Sequence, residues 1–158
     1  MQTIIFLDCD GCINSKQWYI SDLAQSLEFK CNPKNDPDID PNVIQRINKL
    51  CELTGAKIVV SSSWRIDPYY KIRLENAGLK NIIGCTPEFD FKNVLNYSRG
   101  IEIQEWLDNH DEVNYIIIDD ELDFTEEQQK HFIHTDYNLG FTKDDFNRAY
   151  ELINKTSR

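Results

Sequence analysis

The apolar run Ile4-Ile5-Phe6-Leu7 breaks off into Asp8-Cys9-Asp10-Gly11, and this edge constrains the fold more than any other stretch of the chain. The run predicts a strand over Thr3 to Asp8, in a position where a parallel strand would spill into a loop. Successive strand side chains point to opposite faces, so Asp8 and Asp10 leave on the same side, and Gly11 lets the backbone turn at once. A carboxylate pair so placed suits metal-assisted nucleophilic chemistry.

The remaining sequence alternates short β-rich runs with helical patterns, which predicts an α/β fold with a central parallel sheet of about five strands flanked by helices. A polar stretch from Asn14 to Asp40 carries one expected short helix around Ser21 to Glu28. Asp40 then caps and Pro41 opens a helix with the stripe Val43, Ile44, Ile47, Leu50 and Cys51, which Gly55 stops. Strands are expected at Lys57–Ser61, Asn81–Gly84, Asn114–Asp119 and Phe132–Thr135. Helices are expected from Tyr69 to Ala77, from a Ser98 cap through Asn109 with Ile103, Trp106 and Leu107 inward, and from Thr142 with Phe146, Ala149, Tyr150 and Ile153 on one face. The 158 residues are expected to form one domain, 1–158, large enough for a real core.

Composition removes several function classes. A formal charge of −10 argues against a general affinity for nucleic-acid backbones, which is built on Lys and Arg. The longest apolar runs are strand-length, far short of the roughly 20 residues of a membrane span. A strand beginning directly after Met1 leaves no room for a signal sequence, so a cytoplasmic location is expected, with no membrane contact and no obligate protein partner. The five cysteines are an odd, scattered set expected to be reduced. Cys9 and Cys12 form a literal C-x-x-C, but no second pair exists to complete a zinc site.

Open parallel sheets bind ligands beyond the carboxyl ends of their strands. Asp8 and Asp10, Ser61 to Ser63, and Asp119 and Asp120 all fall at such ends, after the first, second and fourth expected strands. Turn chemistry alone does not call for carboxylates on two strands and hydroxyls on a third.

These segments, in this order, resemble the haloacid dehalogenase (HAD) superfamily of phosphohydrolases. The matching motifs are Asp8-Cys9-Asp10-Gly11-Cys12-Ile13-Asn14, Lys57-Ile58-Val59-Val60-Ser61-Ser62-Ser63 and Ile116-Ile117-Ile118-Asp119-Asp120. More narrowly, Ser61-Ser62-Ser63-Trp64-Arg65, Arg99-Gly100-Ile101-Glu102-Ile103 and Asp119-Asp120-Glu121 resemble the HAD domain of multi-enzyme RNA repair proteins and its stand-alone relatives. The resemblance implies a three-layer Rossmann-like fold. It implies that Asp8 attacks phosphorus to give an aspartyl-phosphate, while Asp10 protonates the leaving oxygen and later activates water. It further implies Mg2+ held by Asp8, the backbone carbonyl of Asp10, and Asp120, with Asp119 in support.

Ser62 is the expected second-motif hydroxyl. Ser61 takes that role if the strand is one residue shorter, and Ser63 then supplies a backbone N–H to the same phosphate. The basic residue that the family needs is assigned to Arg99, at the start of a helix before Asp119, with Lys92 and Arg65 as competitors. Glu121 and Asp123 are read as acidic loop residues before a helix, with a contribution to the site as the alternative, Asp36, Asp38 and Asp40 as loop without a calcium pattern, and His110, His131 and His134 as remote from the strand ends. Only about 50 residues separate the first two motifs, too few for a crossover helix and a large cap. A small flap within 15–40 fits, with Trp18, Tyr19 and Phe29 as either contacts or core filler. The expected substrate is a phosphate monoester, with a nucleotide or nucleic-acid end favoured. A phosphoprotein or small metabolite is the alternative, as is a non-catalytic binding module on this fold.

Overall fold

The computed structural model describes residues 1–89 and 97–156. Five strands form one all-parallel sheet: β1 (Thr3–Leu7), β2 (Lys57–Val60), β3 (Ile82–Cys85), β4 (Asn114–Asp119) and β5 (Phe132–His134), in the order β3-β2-β1-β4-β5. The chain runs outward from β1 through β2 to β3, then returns to the other side of β1 for β4 and β5. The strand order therefore reverses at β1, which places the crevice for a ligand at the carboxyl ends of β2, β1 and β4.

Alternation along the strands builds three layers. Ile5, Leu7, Ile58, Val60, Ile116 and Ile118 face one side. There they meet the stripe Val43, Ile44, Ile47 and Leu50 of α4 (Pro41–Thr54), and Ala149 and Ile153 of α8 (Lys143–Thr156). Ile4, Phe6, Val59 and Ile117 face the other side, against Ile103 and Trp106 of α6 (Arg99–Asp108). Every one of these side chains is at least nine-tenths buried, which is why the central strands read as unbroken apolar runs rather than alternating ones. The helix stops and starts follow from local chemistry. Asp40 caps Asn42 N–H, Pro41 opens α4, and Gly55 closes it in the left-handed conformation at φ 71°.

Three expectations change. The stretch 15–40 holds three short helices rather than one, α1 (Lys16–Tyr19), α2 (Asp22–Gln25) and α3 (Leu27–Cys31), because Ser15, Ser21 and Ser26 each cap a separate turn. Within it Trp18 and Phe29 bury against each other edge to face at 5.2 Å, whereas Tyr19 stays exposed. Ser98 makes no side-chain cap of α6; a carboxylate from another loop does so instead. Tyr150 of α8 is exposed rather than inward, and Leu152 packs on the core in its place. The other helices are α5 (Tyr70–Asn76) and α7 (Glu126–Gln129). Among the described residues no helix is long and apolar enough to cross a membrane.

Candidate active site

The hydrogen-bond ladder continues one residue past the ends of the central strands: Asp8 N–H donates to the Ile118 carbonyl at 3.0 Å, and Ser61 N–H to the Leu7 carbonyl at 2.9 Å. β1 and β2 pair Leu7 with Val60, so the next step sets Ser61 opposite Asp8. By alternation Asp8 follows Phe6, Ser61 follows Val59, and Asp119 follows Ile117 onto the α6 face. Cys9 and Ser62 emerge on the opposite face, where Cys9 lies in the core beneath α4.

Arg99, the first residue of α6, meets this row. Its Nη1 donates to Asp8 Oδ1 at 2.7 Å, bonds the Ser61 carbonyl, and lies 3.4 Å from Asp119 Oδ2. Burial disfavours the guanidinium charge, but Asp8 and Asp119 outweigh it and hold Arg99 above its ordinary value. The helix end carrying Arg99 is fixed from the β4–α7 loop. The Asp123 carboxylate accepts from Arg99 N–H at 2.9 Å, the Asp123 carbonyl from Gly100 N–H at 3.1 Å, and Gln128 Nε2 donates to the Gly100 carbonyl at 2.8 Å. A β-carbon on Gly100 would lie 2.4 Å from Gln128 Oε1, so the close approach needs glycine there.

Arg65 is committed elsewhere. Its guanidinium bonds the Ser62 and Thr86 carbonyls at 2.7 and 3.1 Å and forms a buried ion pair with Glu102. It ties the β2 loop to α6. Lys92 lies outside the described residues.

Asp8, Asp119 and Asp120 each offer an oxygen within 4.8 Å of the others. Burial first, and the Asp8 charge second, push Asp119 and Asp120 well above the ordinary carboxylate range. Asp119 Oδ1 accepts from Glu121 N–H at 2.9 Å, whereas its Oδ2 is buried without a hydrogen bond, as is Ser61 Oγ. Hard oxygen donors converging with one orphaned carboxylate oxygen suit a divalent cation such as Mg2+. The residues therefore fit the ion. Expected as a supporting acid, Asp119 sits inside this cluster.

Asp10 is exposed, yet both its oxygens are held: Oδ1 accepts from Asn14 Nδ2 at 2.9 Å and Oδ2 from Trp64 Nε1 at 3.1 Å. Gly11 turns the chain at φ 75°. Its N–H donates to Asn14 Oδ1 at 3.0 Å, and its carbonyl accepts from the Thr135 hydroxyl at 2.9 Å. The hydroxyl of Ser62 accepts from Trp64 N–H at 3.2 Å. Ser63 is exposed in the 3-10 turn Ser63–Ile66. Cys9 and Cys12 are buried free thiols, raised by burial and by Asp8, an environment unlike that of a reactive C-x-x-C pair.

The structure adds Thr135 and Gln128, which the motifs do not flag, and gives contacts to Trp64, quoted in a motif without a role, and to Asp123, read as an acidic loop residue. His134, expected to be remote, has Nε2 2.9 Å from the Asp120 carbonyl. Gly100 carries the one legible signal, since a glycine in the first turn of an otherwise apolar-striped helix marks close packing. A cavity of about 630 Å3 lies along the β3 edge among Ile83, Thr86, Trp106 and His110, away from the carboxylates. Another of about 320 Å3 lies beside Arg99, lined by Ser63, Ile66, Phe89 and Tyr97.

An acidic cluster, a hydroxyl and a half-buried arginine thus lie together at the switch point of a doubly wound parallel sheet. The chain belongs to the family described as the HAD domain in Swiss Army Knife RNA repair proteins, whose model matches residues 4–146. Membership supports a HAD-type phosphatase in general terms, and HAD domains generally use Mg2+. No curated protein and no solved structure matches the chain.

Proposed function

We propose that this chain is a magnesium-dependent phosphomonoesterase working through an aspartyl-phosphate on Asp8. The observation that carries the reading is the convergence of the Arg99 guanidinium and the Ser61 residue on Asp8, with Asp119 and Asp120 adjacent. Asp8 attacks phosphorus and its oxygen gains the P–O bond, while the leaving oxygen keeps the electron pair and takes a proton from Asp10. Asp10 then removes a proton from the water that attacks the aspartyl-phosphate. Arg99 and the hydroxyl of Ser61 receive the phosphoryl oxygens.

Ser61 replaces Ser62 in this role, because its hydroxyl shares the face of Asp8 and lacks a partner, whereas that of Ser62, on the other face, is taken by Trp64 N–H. Asp8, Asp120 and the Asp10 carbonyl would hold Mg2+, with Asp119 beside them. The ion supplies positive charge that offsets the repulsion between these carboxylates and the phosphate.

The favoured substrate is a terminal phosphate on a nucleotide or polynucleotide. The family's description as a domain of RNA repair proteins supports it, as does the absence of a large cap between β1 and β2 among the described residues. The test is Mg2+-dependent phosphate release from 3′- and 5′-phosphorylated oligonucleotides, free nucleotides and phosphopeptides. Oligonucleotide ends are expected to lead, Asp8→Asn to abolish release, and Ser61→Ala to cost more than Ser62→Ala. Preference for phosphopeptides overturns the substrate, and release unaffected by Asp8→Asn overturns the chemistry.

A further inference from the structure

We infer that Trp64 is a positioning residue for Asp10, and that Arg73 holds Trp64 in place for this task. The inference rests on the phosphatase reading above and deepens it. An exposed aspartate ordinarily turns freely, and fixing it costs side-chain entropy. Asp10 is nevertheless gripped on both oxygens, by Asn14 from its own turn and by the Trp64 indole N–H from the loop after β2.

The indole is itself held. The Arg73 guanidinium lies over the Trp64 ring, 4.1 Å from its centroid. Arg73 is in turn clamped by Asp36 in a two-point contact, Nε to Oδ2 at 2.6 Å and Nη2 to Oδ1 at 3.0 Å, and by Asp38 at 2.8 Å. A chain of directed contacts thus runs from the 15–40 flap through α5 to the carboxylate that would give up the proton.

The two grips leave Asp10 free to act. Each carboxyl oxygen has two lone-pair positions, and the neighbours use one on each. A proton on the outward position can still pass to a leaving oxygen, and the carboxylate produced keeps both donors. The gain is orientation: a general acid contributes only when its proton already points at the departing atom.

Proton donation matters most for poor leaving groups, and this yields a readout that a purely structural role does not move. Trp64→Phe retains an aromatic ring beneath Arg73 and removes the N–H. The kcat/KM values of wild type and Trp64→Phe are compared on a series of aryl phosphates of rising leaving-group pKa and on an alkyl phosphate, because kcat/KM ends at formation of the aspartyl-phosphate. The expected result is a loss of about tenfold on the alkyl phosphate, shrinking to under about twofold on 4-nitrophenyl phosphate, with the melting temperature retained.

Equal losses across the series, or none, overturn the inference. Arg73→Gln, which releases the indole without deleting it, is expected to give the same leaving-group trend at smaller amplitude and serves if Trp64→Phe does not fold. Failure of the phosphatase reading is separately visible, as wild type inactive on every ester or unaffected by Asp8→Asn, and would take this inference with it.

Discussion

At the scale of single residues, Gly11 meets two demands at once. Its φ of 75° is a conformation that costs other residues roughly 1–2 kcal/mol, and a β-carbon there would lie 2.5 Å from Asp120 Oδ2. Gly11→Ala is therefore expected to destabilise by about that amount and also to push the Asp120 carboxylate out of the acidic cluster. Thermal melts with and without Mg2+ check both parts: a lower midpoint, and a smaller rise on adding the ion. A normal Mg2+ response would show that Asp120 relocates harmlessly. The carboxylates at 8, 10, 119 and 120 were readable from sequence because each follows an apolar strand whose end is unmistakable. The choice between Ser61 and Ser62 was not, since a period of two makes a single residue of strand length reverse the face. The motif shows Trp64 but not its contact, because nothing in the local pattern reveals an indole reaching back to a turn 54 positions earlier.

Among the elements, the flap over 15–40 shows why acidic loop residues resist interpretation from sequence. Asp36 and Asp38 lack a calcium pattern and lie in a loop, as the sequence predicts, but their carboxylates pin α5 through Arg73. Their partner lies 37 positions away from Asp36, on a different element. Burial raises Asp36, but the hydrogen bonds from Arg73 and from Asp38 N–H prevail and hold it below its ordinary value. A depressed carboxyl contributes stability that is present above its unfolded value of about 3.9 and is lost as pH falls through the folded one. Asp36→Asn is accordingly expected to cost about 1 kcal/mol at neutral pH, and the deficit to fade as pH falls below the ordinary aspartate range. Urea unfolding across pH reads this directly, and a deficit constant with pH would contradict it. The same lesson applies to α6: Ser98 had the right chemistry for a cap, yet Asp123 from beyond β4 supplies it, a tertiary choice that local propensity does not encode.

For the molecule as a whole, the layer pattern and the five parallel strands were legible, because apolar runs bounded by polar turns leave few alternatives for a chain of this kind. The matching of three motifs to three strand ends was legible for the same reason. What sequence left open was how the loops at those ends brace one another. The switch point at β1 has a consequence in time as well as in space. Asp8 gains Ser61 only when β1 pairs with β2, and gains Asp119 and Asp120 only when β1 pairs with β4, and each pairing closes a long crossover before any contact rewards it. After dilution from denaturant, far-UV circular dichroism is therefore expected to recover ahead of the proposed phosphatase activity, which returns with the slowest phase. Activity regained in an earlier phase would show that the strands align before the rest of the chain settles. Chemical competence on this sheet is a late event in folding, and its return marks the moment when the last central pairing closes.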